Sequence, residues 1–524
     1  MANFDVILIG GGHNSLIVAA YLAKAGINVC ILERNPHVGG GVITKEVTLP
    51  GFKHDLCSTQ HWFISANPLI RNDELKLQSK YGLNYIPADP STAIIFPDES
   101  SIVFHRDIDK TCESIAKISQ RDAETYRKFY EWSIPCLNML TMGMFSPPPL
   151  NSVLVSMLEK SEQGQEILIS LQKSALDIVD DWFESDKVKI AMTRLSSEVL
   201  FAPYTRGCGA LLFAVVASAQ RDGFTVCEGG SGSLANSLER CLGNLGGTIK
   251  TSSSVKSIKV EGGEAKGVIL ESGEEIIANK AVISTINVKQ LFLQMLGAEH
   301  LPPNFQTKVR RLKHSEYSAF VCSLALNEAP KYKAGSDVDR CHANEIASND
   351  METYLKEFDA LRYGYPVTDF PLMVCNTLYD RTRAPAGKHT LFVYQYASYN
   401  LKGGGAARWD QIKEEVADNI LNALRQYTTN MDDKNILGRY VESPLDFERY
   451  NPAFVNADEC GIGHQSFQTL SNRPLMGWNY RTPVKKLYMA GACTHPGGGV
   501  TGGGRAAVQV VMEDLGIDFK KVIG

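Results

Sequence analysis

The most regular pattern of apolar and polar positions lies in the first forty residues. Asp5-Val6-Ile7-Leu8-Ile9 is almost wholly apolar, as a strand buried on both faces requires. Three glycines follow, and then Leu16, Ala19, Ala20 and Ala23 recur at helical spacing. Gly26 stops that helix, and Asn28-Val29-Cys30-Ile31-Leu32 predicts a second strand ending at Glu33. Strand, tight turn, helix and strand in this order predict one unit of a parallel sheet.

Further along, the patterns predict a second sheet and a helical region. From Asn84 to Phe104, short β-branched and aromatic runs are separated by turn residues, while Thr111 to Glu198 reads mainly as helix. Inside that helical stretch, residues 132–145 are apolar and methionine-rich and lead to Pro147-Pro148-Pro149, which suits either core or a cap over a substrate chamber. A helix over residues 234–245, strands at 248–250 and 255–260, turns at 261–264 and 271–274 and a strand at 281–285 follow. Strands at 318–326, 370–378 and 390–398, an amphipathic helix over 411–427, a strand at 486–490 and a helix over 506–515 complete the prediction.

The turn Gly10-Gly11-Gly12 leaves N–H groups unpaired at a helix N-terminus, where the helix dipole favours a pyrophosphate. A side chain at Gly12 would hold phosphates away, and Ser15 stands where the fingerprint has its third glycine. Glu33 lies about 20 residues beyond the turn, the distance at which a carboxylate meets a ribose hydroxyl. Gly39-Gly40 provides a second close main-chain approach. Without a ligand the same residues would make only a buried βαβ unit. The acid and the second glycine pair favour a dinucleotide.

From Asp5 to Gly40 the chain resembles the FAD-binding signature of glutathione-reductase-type flavoproteins, in the form used by amine oxidases and phytoene desaturases. The resemblance implies an α/β fold with a Rossmann-type FAD-binding domain made of residues 1–83, 225–290 and 481–524. An α+β substrate domain of residues 84–224 and 291–480 is interleaved with it. It implies cofactor contacts from Gly10, Gly12, His13, Asn14 and Ser15 at the first turn, and from Glu33 and Arg34 after the second strand. Gly39 and Gly40 would lie beside the diphosphate, followed by Gly41 and Val42. Gly41-Val42-Ile43-Thr44, where many members carry arginine, is closer to the branch of carotenoid ketolases and isomerases. Thr59, Gln60 and His61 fall in the segment expected to reach the flavin ring, and backbone groups of Val255 would hold the adenine. Gly491, Ala492 and the run Thr494-His495-Pro496-Gly497-Gly498-Gly499-Val500-Thr501 resemble the phytoene-desaturase-like branch. Gly499, Val500 and Thr501 are expected at the cofactor there, as backbone donors toward the ring.

This reading implies an FAD-dependent oxidoreductase that moves hydride between flavin N5 and a small, apolar, unsaturated substrate, with oxygen or quinone as electron acceptor. His61 and His495 are the acid–base candidates, chosen because each sits in a ring-facing segment and imidazole titrates near neutral pH. Amine oxidases usually carry a lysine near flavin N5. The strand from Ser318 has none, although Lys313 precedes it, and this lowers an amine substrate. Reduced-flavin isomerisation or hydration without net redox, and a noncatalytic flavin-binding role, stay open, as does covalent linkage at Cys493 or His495.

Composition changes this picture little. With 44% hydrophobic residues and a net charge of −5, the chain has the apolar content for a large core and no basic excess for nucleic acid. Twelve cysteines without a close pair suggest neither zinc nor a disulfide framework, and fit a reducing, cytoplasmic setting with peripheral membrane contact as an option.

Overall fold

The computed structural model describes residues 2–475, 477–500 and 502–524, so Thr501 lies outside the described residues. Two seven-stranded sheets organise the chain. In the first, Thr248–Lys250, Val29–Leu32, Ala2–Ile9, Glu275–Ser284 and Leu487–Met489 run parallel in that order. The hairpin Val255–Glu261/Glu264–Leu270 adds antiparallel to the N-terminal half of Glu275–Ser284. Val6, Ile7 and Leu8 are wholly buried, because both faces of the sheet are covered: Val6 and Leu8 lie under helices, and Ile7 under the hairpin and the segment 288–312. Helix His13–Lys24 packs there against helices Gly232–Asn244 and Gly503–Asp514, joining the two ends of the chain in one core.

The second sheet runs Ile436–Glu442, Ser318–Leu326, His389–Ala397, Leu372–Val374, Ala343–Ile346, Thr92–Ile95 and Ser101–Phe104. Only Ala343–Ile346 and Thr92–Ile95 pair in parallel. Side chains alternate between its faces: Leu391 and Val393 pack toward helix Trp409–Tyr427, whereas Phe392, Tyr394 and Tyr396 pack toward helices Gln120–Met144, Asp186–Ser197 and Ala210–Arg221.

Most predicted elements are present within a few residues of their expected bounds. Tyr85–Ala88, expected in the second sheet, instead forms a ribbon with Phe224–Cys227. The stretch 370–378 is strand only over Leu372–Val374, because the chain then turns in a short 3-10 helix, Asn376–Leu378. Ala343–Ile346 escaped prediction because Asn344 and Glu345 are buried polar residues, which disguise a strand. Among the described residues no helix is long and apolar enough to cross a membrane.

Arg383, which is fully buried, ties three segments that lie outside the two large sheets. It pairs with Asp55, with Asp380 at 2.9 Å, and donates to the Cys227 carbonyl at 2.8 Å. Burial alone would raise the Asp55 pKa. The guanidinium, with donors from Thr44 and Ser231, overcomes that and holds it below its usual value.

Candidate functional site

A cavity of about 1210 Å³ runs from the first glycine turn to the helical cap. Its nucleotide end is made of main chain. Gly10 adopts φ +92°, and helix His13–Lys24 begins beyond Gly12 with no side-chain cap, leaving its first amides available to an anion. The second glycine turn lies against the first: Gly39 N–H donates to the Gly11 carbonyl at 2.9 Å, and a Cβ on Gly40 would stand 3.0 Å from the Gly12 Cα. Glu33 holds this arrangement, since Oε2 accepts from Gly11 N–H at 2.6 Å and Oε1 from Asn35 N–H at 2.7 Å. Each oxygen keeps a lone pair for a ribose hydroxyl. Ser253 N–H bonds the Glu33 carbonyl at 2.8 Å and brings Val255 to the same wall.

The chain's far end closes on this cradle. Asn14 Oδ1 accepts from Gly504 N–H at 2.8 Å, and a Cβ at Gly504 would meet the Asn14 carbonyl at 2.6 Å. Only glycine lets the two helix starts touch in this way. Burial pulls the His13 pKa down to about 4, and its imidazole faces Gly499. The cradle fits a diphosphate, and the span from Val255 to Ala492, Gly499 and Val500 fits an elongated dinucleotide.

Of the predicted positions, Gly10, Gly12, His13, Asn14, Glu33 and Arg34 line the cavity. Gly40, Gly41, Val42, Thr59 and Gln60 continue that wall, with Val255, Ala492, His495, Gly499 and Val500. Ser15, Gly39, Gly491 and His61 stand behind it. Ser15 is wholly buried with no partner for its hydroxyl among the described residues, so it packs the helix on the sheet. His61 is turned to the Tyr85 hydroxyl at 2.8 Å. Neither acid–base candidate titrates near neutral pH: burial pulls His61 down to about 3 and His495 to about 4. His495 uses Nε2 on the Gly143 carbonyl at 3.0 Å. Arg34 is the only arginine lining the cavity among the described residues, and none of them is a lysine; Lys313 is exposed elsewhere.

Beyond the cradle the wall becomes apolar. Pro135, Met139, Leu140, Leu154, Leu158, Ile167 and Leu171 come from the cap helices, and Leu372 and Phe392 from the second sheet. The methionine-rich segment is therefore both core and chamber wall. Met142 and Met157, 80% and 61% exposed, form an apolar rim. Two carboxyls also face this chamber, Glu198 and Glu459. Burial, with the charge of Glu345, pushes Glu198 up to about 8, and burial raises Glu459. No motif marks them, because they come from the end of a cap helix and from a loop after the second sheet; only the fold brings them together.

Comparison with known proteins agrees with this geometry. The profile of the family described as flavin containing amine oxidoreductase matches residues 191–512, over half the chain, and that of the NAD(P)-binding Rossmann-like domain matches residues 8–72. The chain is 26% identical to one of the subunits of the limonene dehydrogenase of Castellaniella defragrans, covering 98% of this chain and 95% of that protein. It is 23% identical to a lycopene-forming phytoene desaturase of Pseudescherichia vulneris, covering 97% of this chain and 99% of the other. Cyclohexylamine oxidase from Brevibacterium oxydans shares the fold at a TM-score of 0.64 and 16% identity, over 98% and 99% of the two chains.

Proposed function

The chain belongs to the family of flavin-containing amine oxidoreductases and is an FAD-dependent oxidoreductase; from this premise we propose that its substrate is an apolar, unsaturated molecule and not an amine. The observation that carries the reading is the cavity itself, which continues from the glycine cradle into an apolar chamber with no lysine among its described lining residues. When bound, FAD supplies the hydride acceptor or donor at N5. The chain's own part is positional. The amides at His13 and the Gly12–Gly40 contact would fix the diphosphate, and Glu33 the ribose. Leu154, Leu158, Ile167 and Phe392 line the apolar chamber and would shield a substrate there from water. Limonene dehydrogenase and phytoene desaturase act, by their names, on hydrocarbons of the kind such a chamber would take.

The test is anaerobic mixing of the yellow, flavin-loaded protein with limonene, longer terpenes and, in parallel, benzylamine and putrescine. Bleaching of the flavin band by a terpene and not by the amines is the expected result. Bleaching by amines alone would overturn the reading. Turnover of a terpene without acceptor consumption would instead identify isomerisation or hydration.

A further inference from the structure

Three polar groups interrupt the apolar chamber wall, each with an oxygen that bonds no other residue among those described. Tyr394 is only 8% exposed and lines the chamber, yet its hydroxyl has no hydrogen-bond partner among the described residues. Glu198 accepts from the Tyr396 hydroxyl at 2.7 Å through Oε1, and Glu459 accepts from the Cys57 thiol at 3.1 Å through Oε2. The second oxygen of each carboxyl has no partner among the described residues and is not sealed in protein, so both open on the cavity. The Tyr394 ring packs edge-on against Tyr396, centroids 5.8 Å apart, and Tyr396 bonds Glu198, which sets the first two side by side; Glu459 lines the same cavity and acts electrostatically on both. Groups that open on the cavity are free to bond whatever fills it, and a wall meant only for hydrocarbon would carry leucine or phenylalanine here, since polar groups left against hydrocarbon are unfavourable.

The electrostatics select the ligand. Arg194, the nearby cation, is engaged by Glu345 at 2.9 Å and Glu357 at 3.4 Å. Glu198, pushed up to about 8, is therefore a neutral acid at neutral pH, and the raised Glu459 leans the same way. Neutral carboxyls and a phenol present O–H donors, which an acceptor oxygen satisfies. An ammonium group would have to ionise at least one of these carboxyls against its burial in an apolar chamber.

We propose that Tyr394, Glu198 and Glu459 form a subsite for one hydroxyl or carbonyl oxygen on an otherwise apolar, unsaturated substrate. The proposal rests on the apolar-substrate reading above. A few convergent polar groups in an apolar pocket are the usual means of fixing which end of a ligand faces the reacting centre.

Flavin-loaded protein is titrated with farnesene, farnesol and farnesylamine, and with their C10 and C20 homologues. Binding is read from the flavin spectrum and from quenching of Trp62, which lines the same cavity. The alcohols should bind about tenfold or more tightly than the hydrocarbons, the value of one or two hydrogen bonds. Tyr394→Phe and Glu459→Met should move that ratio toward one, while Glu459→Gln, which keeps a donor, should retain most of it. Equal binding of alcohol and hydrocarbon by the unaltered protein overturns the subsite and leaves the apolar reading standing. Tightest binding of the amines overturns it in favour of ionised carboxylates. Binding by no member of the series overturns the apolar reading and the subsite together.

Discussion

The two ends of the cavity are made of different material. At the nucleotide end the working groups are main chain: glycine turns in contact, uncapped helix amides and a carboxylate, Glu33, spent on backbone N–H groups. At the chamber end they are side chains drawn from cap helices, the second sheet and a late loop. Their charges differ as well. Behind the cavity wall at Thr59, which donates to Asp55, Arg383 holds that carboxyl ionised despite burial, whereas in the chamber Glu198 and Glu459 are driven toward the neutral form. A main-chain site tolerates little change where backbones touch. A side-chain site can change its contents while the fold stands.

The contrast is broken most severely at Gly40. Its φ of +62° and the 3.0 Å approach of its Cβ direction to the Gly12 Cα leave no room for valine. Gly40→Val should weaken flavin retention about a thousandfold, roughly 4 kcal/mol, by strain and by loss of the cradle. The ratio of flavin to protein absorbance after gel filtration measures it. The chamber's helices should keep their circular dichroism, and their loss would show that the two ends are not independent.

The next effect belongs to the chamber and to pH. The Glu198 carboxyl titrates from about 4.5 when solvated and about 8 in the fold, so the folded state holds the proton longer. Its stabilisation is complete below the solvated value and is lost as pH rises through about 8. Apoprotein stability in urea should therefore fall across that window. Glu198→Gln, which cannot ionise, should be the more stable form above it by something on the order of 3 kcal/mol. Glu345, Glu459, Arg194, Tyr317 and Tyr396 act on the same carboxyl, and Glu357 and Glu442 also titrate high, so the variant should lessen the slope without abolishing it. An unchanged slope would refute a neutral Glu198.

Glu33→Ala should weaken flavin retention by about 1–3 kcal/mol, through lost ribose bonds and a loosened Gly11 turn. Flavin release followed by ultrafiltration reads this directly, and unchanged retention would remove Glu33 from the site.

The same contrast decides what could be read from the chain alone. The cradle was legible because it is local: Gly10, Gly12, Glu33 and Gly40 lie within about forty residues, and main-chain geometry dictates their spacing. The final glycine cluster was legible for the same reason, although only the fold shows Asn14 holding Gly504. The chamber was not legible. Glu198 and Glu459 are more than 250 residues apart, and no period links a helix end to a loop. His61 and His495 attracted attention by residue type, but burial removes the property for which they were chosen. Residue type proposes a titration, and only surroundings decide it.

The smallest effect tests whether the nucleotide end depends on main chain throughout. Ser15 occupies the third fingerprint position, and its hydroxyl is buried without a partner among the described residues, behind the cavity wall. If that hydroxyl reached a phosphate, Ser15→Ala would weaken flavin binding by the value of a charged hydrogen bond, about 1.5–3 kcal/mol. The geometry requires the opposite. Alanine removes an unsatisfied oxygen and improves helix propensity without changing the amide offered to the cofactor, so flavin retention should stay constant and apoprotein stability should rise by about 1 kcal/mol or less. Parallel measurement of flavin dissociation and urea unfolding separates the two, and weakened retention in Ser15→Ala would mean that a side chain shares the work assigned here to the backbone.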